Sequence, residues 1–281
     1  MSKNSDNLEI TLTNMINSNC KGRRLPEIMP LWMIEEGIVP GATILGAENI
    51  GSQDRNNKTD VIIYLKNSEP IKISAKLRNA HHFGNWYGHK RFLEEFGETA
   101  FENMTSASAA WANEWAKTTP NLFVGVSICF GRRTGRTAQR FTDIFTENDI
   151  LTVARGFGYG SHVANCMYIS DNCARDLQEL IESLEEFTTD NVERATSGFM
   201  IAHRPVNPIK EGTNRGKNVY CRFAPCQRLP VPTVIKNARE LFSLGRFVTV
   251  ESNRINHNHI LNNLEDEFNI IIPRKGVDIH S

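Results

Sequence analysis

The stretch Val61–Lys76, VIIYLKNSEPIKISAK, commits the chain to a β-sheet. VIIYL and IKISA are rich in β-branched and aromatic residues, and KNSEP between them carries the polar and proline residues of a turn. A hairpin places residues equidistant from the turn opposite one another, so Asp60 is expected roughly opposite Ala75, beside Ser74 and Lys76. Side chains alternate along a strand, so Ser74 and Lys76 share one face and Ala75 takes the other. An acid, a hydroxyl and a lysine thus converge at the open end of an otherwise apolar hairpin. A second run, NLFVGVSICFG, is nearly continuous in apolar residues and reads as a buried central strand ending at Gly131.

Helical signals surround these strands. From Asn85 to Lys117 the pattern predicts two helices, with Phe92 and Phe96 four apart. DLQELIESLEEF predicts an amphipathic helix with Leu177, Leu180, Ile181 and Leu184 on one side and a solvated acidic face on the other. Another helix is expected around TVIKNARELFSLG. Pro26, Pro30 and Pro40 restrict the first forty residues to short helical pieces and turns. The expected fold is α/β, a mixed central sheet flanked by helices. No repeat or linker marks a boundary, so one domain is expected over 1–281, with a core at about 41–170.

Composition narrows the class of function. With 40% hydrophobic and 23% charged residues among 281, the chain is an ordinary globular one, long enough for a substantial core. Its 32 basic residues balance 32 acidic ones, which excludes coating of nucleic acid by bulk charge and leaves that role to local clusters. No run is long enough to span a membrane, and the first residues lack a signal peptide's apolar segment, so a cytoplasmic protein is expected. The six cysteines, at 20, 129, 166, 173, 221 and 226, are irregularly spaced and read as reduced core thiols. His81, His82 and His89 follow the hairpin and read as hydrogen-bonded structural groups or donors to a nucleic-acid backbone rather than metal ligands. GRRTGRT lacks the ending of an ATP-binding phosphate loop, and GFGYG lacks the spacing and downstream acid of a dinucleotide fingerprint.

A carboxylate beside a lysine suits phosphodiester hydrolysis. The acid holds Mg²⁺, which lowers the pKa of a bound water, and the lysine orients that water or stabilises developing negative charge. Asp60 followed across a hairpin by Ser74-x-Lys76 resembles the PD-(D/E)xK nuclease superfamily, with Ser74 where the second acid usually stands. The resemblance implies a restriction-endonuclease-like core, Mg²⁺ as cofactor, and catalytic roles for Asp60, Ser74 and Lys76. It also implies a supplementary acid, which is Glu95 on the following helix or Glu48 upstream. On a helix with Phe92, Leu93 and Phe96 inward, Glu95 lies at the flank of the buried face and Glu94 turns toward solvent.

Two basic loops, at about 130–140 and 203–223, are expected to contact DNA. The first carries Arg132, Arg133, Arg136 and Arg140 without an acid among them. The second carries Arg204, Lys210, Asn214, Arg215, Lys217 and Arg222, with Asn207 and Asn218 nearby. Arginine and lysine pair with phosphate or guanine and asparagine with adenine, so both loops carry suitable donors. The order of parts over about 55–225 is similar to that of small type II restriction endonucleases that cut four-base G+C palindromes. That likeness implies double-stranded DNA as substrate, a possible homodimer, no membrane partner, and a cognate DNA methyltransferase in the same restriction-modification system. Two rivals share these residues: a repair or structure-specific nuclease, and a sequence-specific DNA-binding protein that does not cut.

Overall fold

The computed structural model describes residues 3–50, 57–80, 82–84, 86–211, 218–252 and 255–275. In chain order, α1 (Lys3–Met15) and α2 (Leu31–Glu35) precede β1 (Ile44–Asn49), β2 (Val61–Leu65), β3 (Ile71–Lys76) and β4 (His82–Gly84). Then come α3 (His89–Ala116), β5 (Val126–Gly131), β6 (Ala138–Arg140), α4 (Glu147–Arg155), β7 (Cys166–Ile169), α5 (Leu177–Ser183), β8 (Leu184–Glu185) and α6 (Thr189–Thr196). The last stretch holds β9 (Met200–Pro205), α7 (Pro208–Glu211), β10 (Arg222–Pro225), β11 (Thr233–Val234), α8 (Ala238–Ser243), β12 (Gly245–Val248), α9 (His257–Phe268) and β13 (Ile270–Ile271).

The architecture is mixed α/β, and the chain divides into two compact units, 1–83 with 146–199 and 84–145 with 200–281. The sequence, read as one domain, carries no mark of this division. The chain passes between the units three times, at 83/84, 145/146 and 199/200, none of them in a low-complexity linker.

The first unit is organised by a five-stranded mixed sheet in the order β1-β2-β3-β7-β8. The hairpin β2/β3 is antiparallel, β1 adds antiparallel to β2, and β7 runs parallel to β3. Alternation decides what each face does. Val61, Ile63, Ile71, Ile73, Ala75, Cys166 and Tyr168 point to one side, where they form a core with Leu8, Leu12 and Ile16 of the N-terminal segment, Met33 of α2, and Leu177, Leu180 and Ile181 of α5. Asp60, Ile62, Ser74 and Lys76 fall on the opposite face. Asn165 stitches the hairpin to β7: its side-chain Oδ1 accepts from Lys72 N at 2.7 Å and its Nδ2 donates to Pro70 O at 3.0 Å.

The register departs from the expectation by one residue. Val61 pairs with Ile73, which sets Asp60 opposite Ser74, not Ala75. The turn explains the shift, because its polar groups are bonded outside the hairpin: Glu69 N donates to Gly37 O at 3.2 Å, and Ser68 Oγ accepts from Val39 N at 2.9 Å. Asn67 supplies the left-handed residue the turn needs, at φ 55°.

In the second unit, β5 pairs antiparallel with β9, which also pairs with β6. Every residue of β5 is buried, as the apolar run requires. The small pairs β10/β12 and β11/β13 complete its strands. Its core gathers Phe123, Val124, Val126, Val219, Phe223, Leu241, Phe247, Leu261 and Leu264. The two helices expected over 85–117 are one element, α3, broken at Gly97, whose φ of 78° and ψ of 177° are not helical. All six cysteines are free, and Cys226 is exposed rather than in the core. No helix among the described residues is long and apolar enough to cross a membrane.

Candidate active site

Asp60 stands just before β2 with its backbone fixed from both sides: its N–H donates to Ile73 O at 2.8 Å, and its carbonyl accepts from Ile50 N at 3.0 Å. That anchoring aims the carboxylate across to β3. Its Oδ2 accepts from Ala75 N at 2.8 Å and from Lys76 Nζ at 2.8 Å, with Ser74 Oγ at 3.4 Å. All three donors converge on Oδ2, and Oδ1 takes part in none of these bonds. Lys76 Nζ also donates to Ala75 O at 3.0 Å, so the ammonium is held at two points. Ser74 is fully buried, while the side chains of Asp60 and Lys76 keep 14% and 18% of their exposure. The pair is therefore sheltered yet open to a small reactant. The hairpin register brings Asp60 across to Ser74 and Lys76 on the adjacent strand.

Two further side chains on this face had a sequence signal that was not used. Lys72 precedes Ser74 and Lys76 at the same two-residue interval, so KISAK carries a row of three polar side chains. Tyr64 shares the face on β2, and its hydroxyl donates to Glu48 Oε2 at 2.7 Å. Glu48 on β1 lies opposite Ile62, one diagonal step along the sheet from Asp60. It is exposed, and the hydrogen bond to its carboxylate raises the pKa of the Tyr64 phenol.

Glu95 belongs to the second unit. It points inward on α3, as the helical spacing predicts, while Glu94 is on the outer side and meets Lys90 at 3.7 Å. Both carboxylate oxygens of Glu95 are engaged, Oε1 by Arg91 Nε at 2.7 Å and Oε2 by the Tyr87 hydroxyl. The Arg91 guanidinium lies 4.2 Å above the Tyr87 ring, and burial drives the Tyr87 phenol well above its ordinary pKa. These groups form a buried polar network.

Among the described residues no group of three or more His, Cys, Asp or Glu side chains forms a ready-made metal cage. The donor chemistry of the Asp60 site nevertheless fits Mg²⁺. That ion is held by one or two carboxylates and keeps most of its waters, and Asp60 Oδ1 is a hard oxygen outside the ion pair with Lys76. His89 is structural, its Nε2 2.8 Å from Val219 O and its pKa lowered by burial. His81 lies outside the described residues.

The first basic loop lies in the second unit, after β5. Arg136 is braced there: a guanidinium nitrogen donates to Thr118 Oγ1 at 2.6 Å, the group stacks 5.0 Å from the Trp115 ring, and its carbonyl accepts from Trp111 Nε1 at 2.8 Å. Arg133 donates to Thr137 Oγ1, and Arg140 is exposed. Arg132 is half-buried. Arg204 on β9 stacks 3.8 Å over Trp86, whose φ of 50° is unusual for a bulky residue, and donates to Cys129 Sγ at 3.2 Å. Lys210 Nζ donates to Asn121 Oδ1 at 3.2 Å. Asn214, Arg215 and Lys217 lie outside the described residues. A cavity of about 880 Å³ in the same unit is lined by Glu98, Glu102 and Glu251 together with Arg222 and His259, a lining whose acids disfavour phosphate.

Trp111 also stacks on His203 at 4.6 Å. His203 is fully buried, its Nε2 is 2.9 Å from Gln139 Oε1, and its Nδ1 has no partner. Burial therefore lowers its pKa from 6.5 to about 3 and keeps it neutral. Between those values the native state binds fewer protons than the unfolded chain, so stability present above pH 6.5 declines as pH falls toward 3. At pH 4.5 the loss from this group is roughly 3 kcal/mol, and urea titrations of wild type and His203→Phe at pH 7 and 4.5 should show a flatter pH dependence in the variant.

No family model, no curated protein and no solved structure matches this chain.

Proposed function

We propose that the chain is a Mg²⁺-dependent, sequence-specific DNA endonuclease of the type II restriction kind, with Asp60, Ser74 and Lys76 as its catalytic centre. The observation that carries this reading is the convergence of Ala75 N–H, Lys76 Nζ and Ser74 Oγ on a single oxygen of Asp60, at the end of a hairpin in a mixed sheet. The Ala75 bond orients the carboxylate, so Oδ1 is presented in a fixed direction. Bound there with waters, Mg²⁺ would lower the pKa of an attacking water and neutralise phosphate charge. Lys76, held at two points, orients that water and stabilises the charge that builds on the phosphate oxygens. The water oxygen joins phosphorus, one P–O ester bond breaks, and the leaving oxygen takes a proton. Ser74, on the same face, adds a longer contact to the same carboxylate oxygen. Glu48 is the supplementary acid favoured by placement, since it shares the sheet face with Asp60 within one unit. Arg132, Arg133, Arg136, Arg204 and Lys210 are the proposed DNA contacts of the second unit, positioning the duplex through phosphates or bases.

Incubating the purified protein with long unmethylated duplex DNA, in Mg²⁺ and in EDTA, and sequencing the fragment ends tests the assignment. Discrete fragments sharing a short palindrome in Mg²⁺ alone are expected. A smear would favour a repair-type nuclease, and specific binding without any cutting would favour a non-catalytic DNA-binding protein.

A further inference from the structure

The loop between α4 and β7, GFGYGSH at 156–162, exposes two aromatic side chains that the core does not use. Tyr159 is 97% exposed and Phe157 52%. Tyr64, the other exposed aromatic among the described residues, has its hydroxyl tied to Glu48. An exposed aromatic pair is not explained by folding, which favours burial of such rings.

The backbone beneath the rings is held firmly. Ala164 N donates to Arg155 O at 2.9 Å and closes the loop's base. Val163 N donates to Gly160 O at 3.3 Å, and the His162 ring nitrogen Nε2 lies 3.0 Å from Phe157 O. Gly156, Gly158 and Gly160 have φ of 105°, 81° and 124°, so each glycine flanking an aromatic takes a left-handed conformation that another residue would strain against. The loop is also fastened to the proposed catalytic hairpin. Lys72 Nζ donates to Gly160 O at 3.1 Å, and Lys58 N, two residues before Asp60, donates to His162 O at 2.9 Å.

Placement and charge name the occupant. Lys72, Ser74 and Lys76 form one row on β3, so the loop's anchor is about 13 Å from the catalytic lysine at ~3.3 Å per residue. That is roughly four steps of a nucleic-acid strand at 3.4 Å each. From Ile150 to Ser170 the chain has no acidic residue, so nothing in this segment repels a polyanion. Flat rings on a pre-organised, acid-free loop suit the faces of nucleotide bases, which stack on aromatics with little ordering cost.

We propose that Phe157 and Tyr159 form a base-stacking contact for the nucleic-acid substrate, engaging bases within a few nucleotides of the phosphate that is cut. This rests on the nuclease reading above, and names a substrate contact that the reading does not require. The test uses fluorescence anisotropy with a labelled 24-base-pair random-sequence duplex and a labelled 20-mer of poly-dT, without Mg²⁺, over a series of salt concentrations. The Phe157→Ala, Tyr159→Ala double variant should bind one or both probes about ten-fold or more weakly, with the slope of log affinity against log salt unchanged, since no phosphate contact is removed. Tyr159→Phe should restore binding in the Phe157-intact background. Wild-type affinity in the double variant, an altered salt slope, or no rescue by Tyr159→Phe would overturn the proposal while leaving the catalytic assignment standing. A change of oligomeric state in the double variant, seen by sedimentation, would assign the rings to self-association instead. If the wild type binds neither probe, this proposal falls, and the nuclease reading is decided separately by the cleavage assay above.

Discussion

Replacement of Lys76 by alanine is expected to lower DNA cleavage by about 100- to 1,000-fold or more, the scale on which loss of one pre-organised charge-stabilising donor acts. Folding and DNA binding should survive. Removing Lys76 leaves the mostly buried Asp60 carboxylate, 14% exposed, without its charged partner, but it keeps the bond from Ala75 N. The cost in stability is expected at about 1–3 kcal/mol, read by urea titration. Lys76→Arg tests geometry rather than charge: a guanidinium cannot reproduce the compact two-point hold on Asp60 Oδ2 and Ala75 O, so it should also cut poorly. Undiminished cleavage by Lys76→Ala would remove the proposed centre.

The two carboxylates that the sequence left as alternatives should separate by the kind of damage their loss does. Glu95→Ala removes the carboxylate that pairs with the Arg91 guanidinium and accepts from the Tyr87 hydroxyl inside the second unit, and breaking such a buried pair costs about 3–5 kcal/mol. A fall in the thermal midpoint on the order of 10 °C is expected, measured by circular dichroism. Glu95→Gln retains an acceptor for Tyr87 and should lose less. Assayed below its transition, it should cut at close to the wild-type rate. Glu48→Gln should behave oppositely: the side chain is exposed, its partner is the Tyr64 hydroxyl, and the expected result is unchanged stability with at least ten-fold slower cutting. A stable Glu95→Gln protein that cannot cut, beside a fully active Glu48→Gln, would reverse this assignment.

The hairpin was legible because its residues obey a period of two: Val61, Ile63, Ile71, Ile73 and Ala75 must enter a core, which puts Asp60, Ser74 and Lys76 on the other face. The one-residue error in register came from the turn. Ser68 and Glu69 are bonded to the 37–39 segment, a tertiary contact that local symmetry about KNSEP does not contain. Helix α1 was missed for a related reason. Asn, Ser and Thr fill much of KNSDNLEITLTNM, so intrinsic propensity is weak, and the helix is stabilised by Leu8 and Leu12 packing on the sheet. Leu184 was expected to continue the apolar side of α5, yet it starts β8 while staying buried. The parallel partner β7 was visible only as an apolar segment, since nothing local to CMYI specifies pairing with a strand some ninety residues earlier. Of the candidate site, the local pair Ser74 and Lys76 was readable from spacing. The bracing of Arg136 by Trp111 and Trp115, and the engagement of Glu95 by Tyr87, depend on how α3 packs.

The most direct test of the central claim is a time course on supercoiled unmethylated plasmid with wild type and Asp60→Asn, at equal concentrations, in Mg²⁺. Asparagine preserves the shape of the side chain and its backbone acceptor but removes the charged oxygen proposed to hold the metal. The wild type is expected to convert the plasmid to nicked and then linear DNA with defined ends, while Asp60→Asn leaves it supercoiled. Equal cutting by the two proteins, or a wild type that leaves the plasmid intact while binding it, would rule out Asp60 as the centre of a DNA-cutting site.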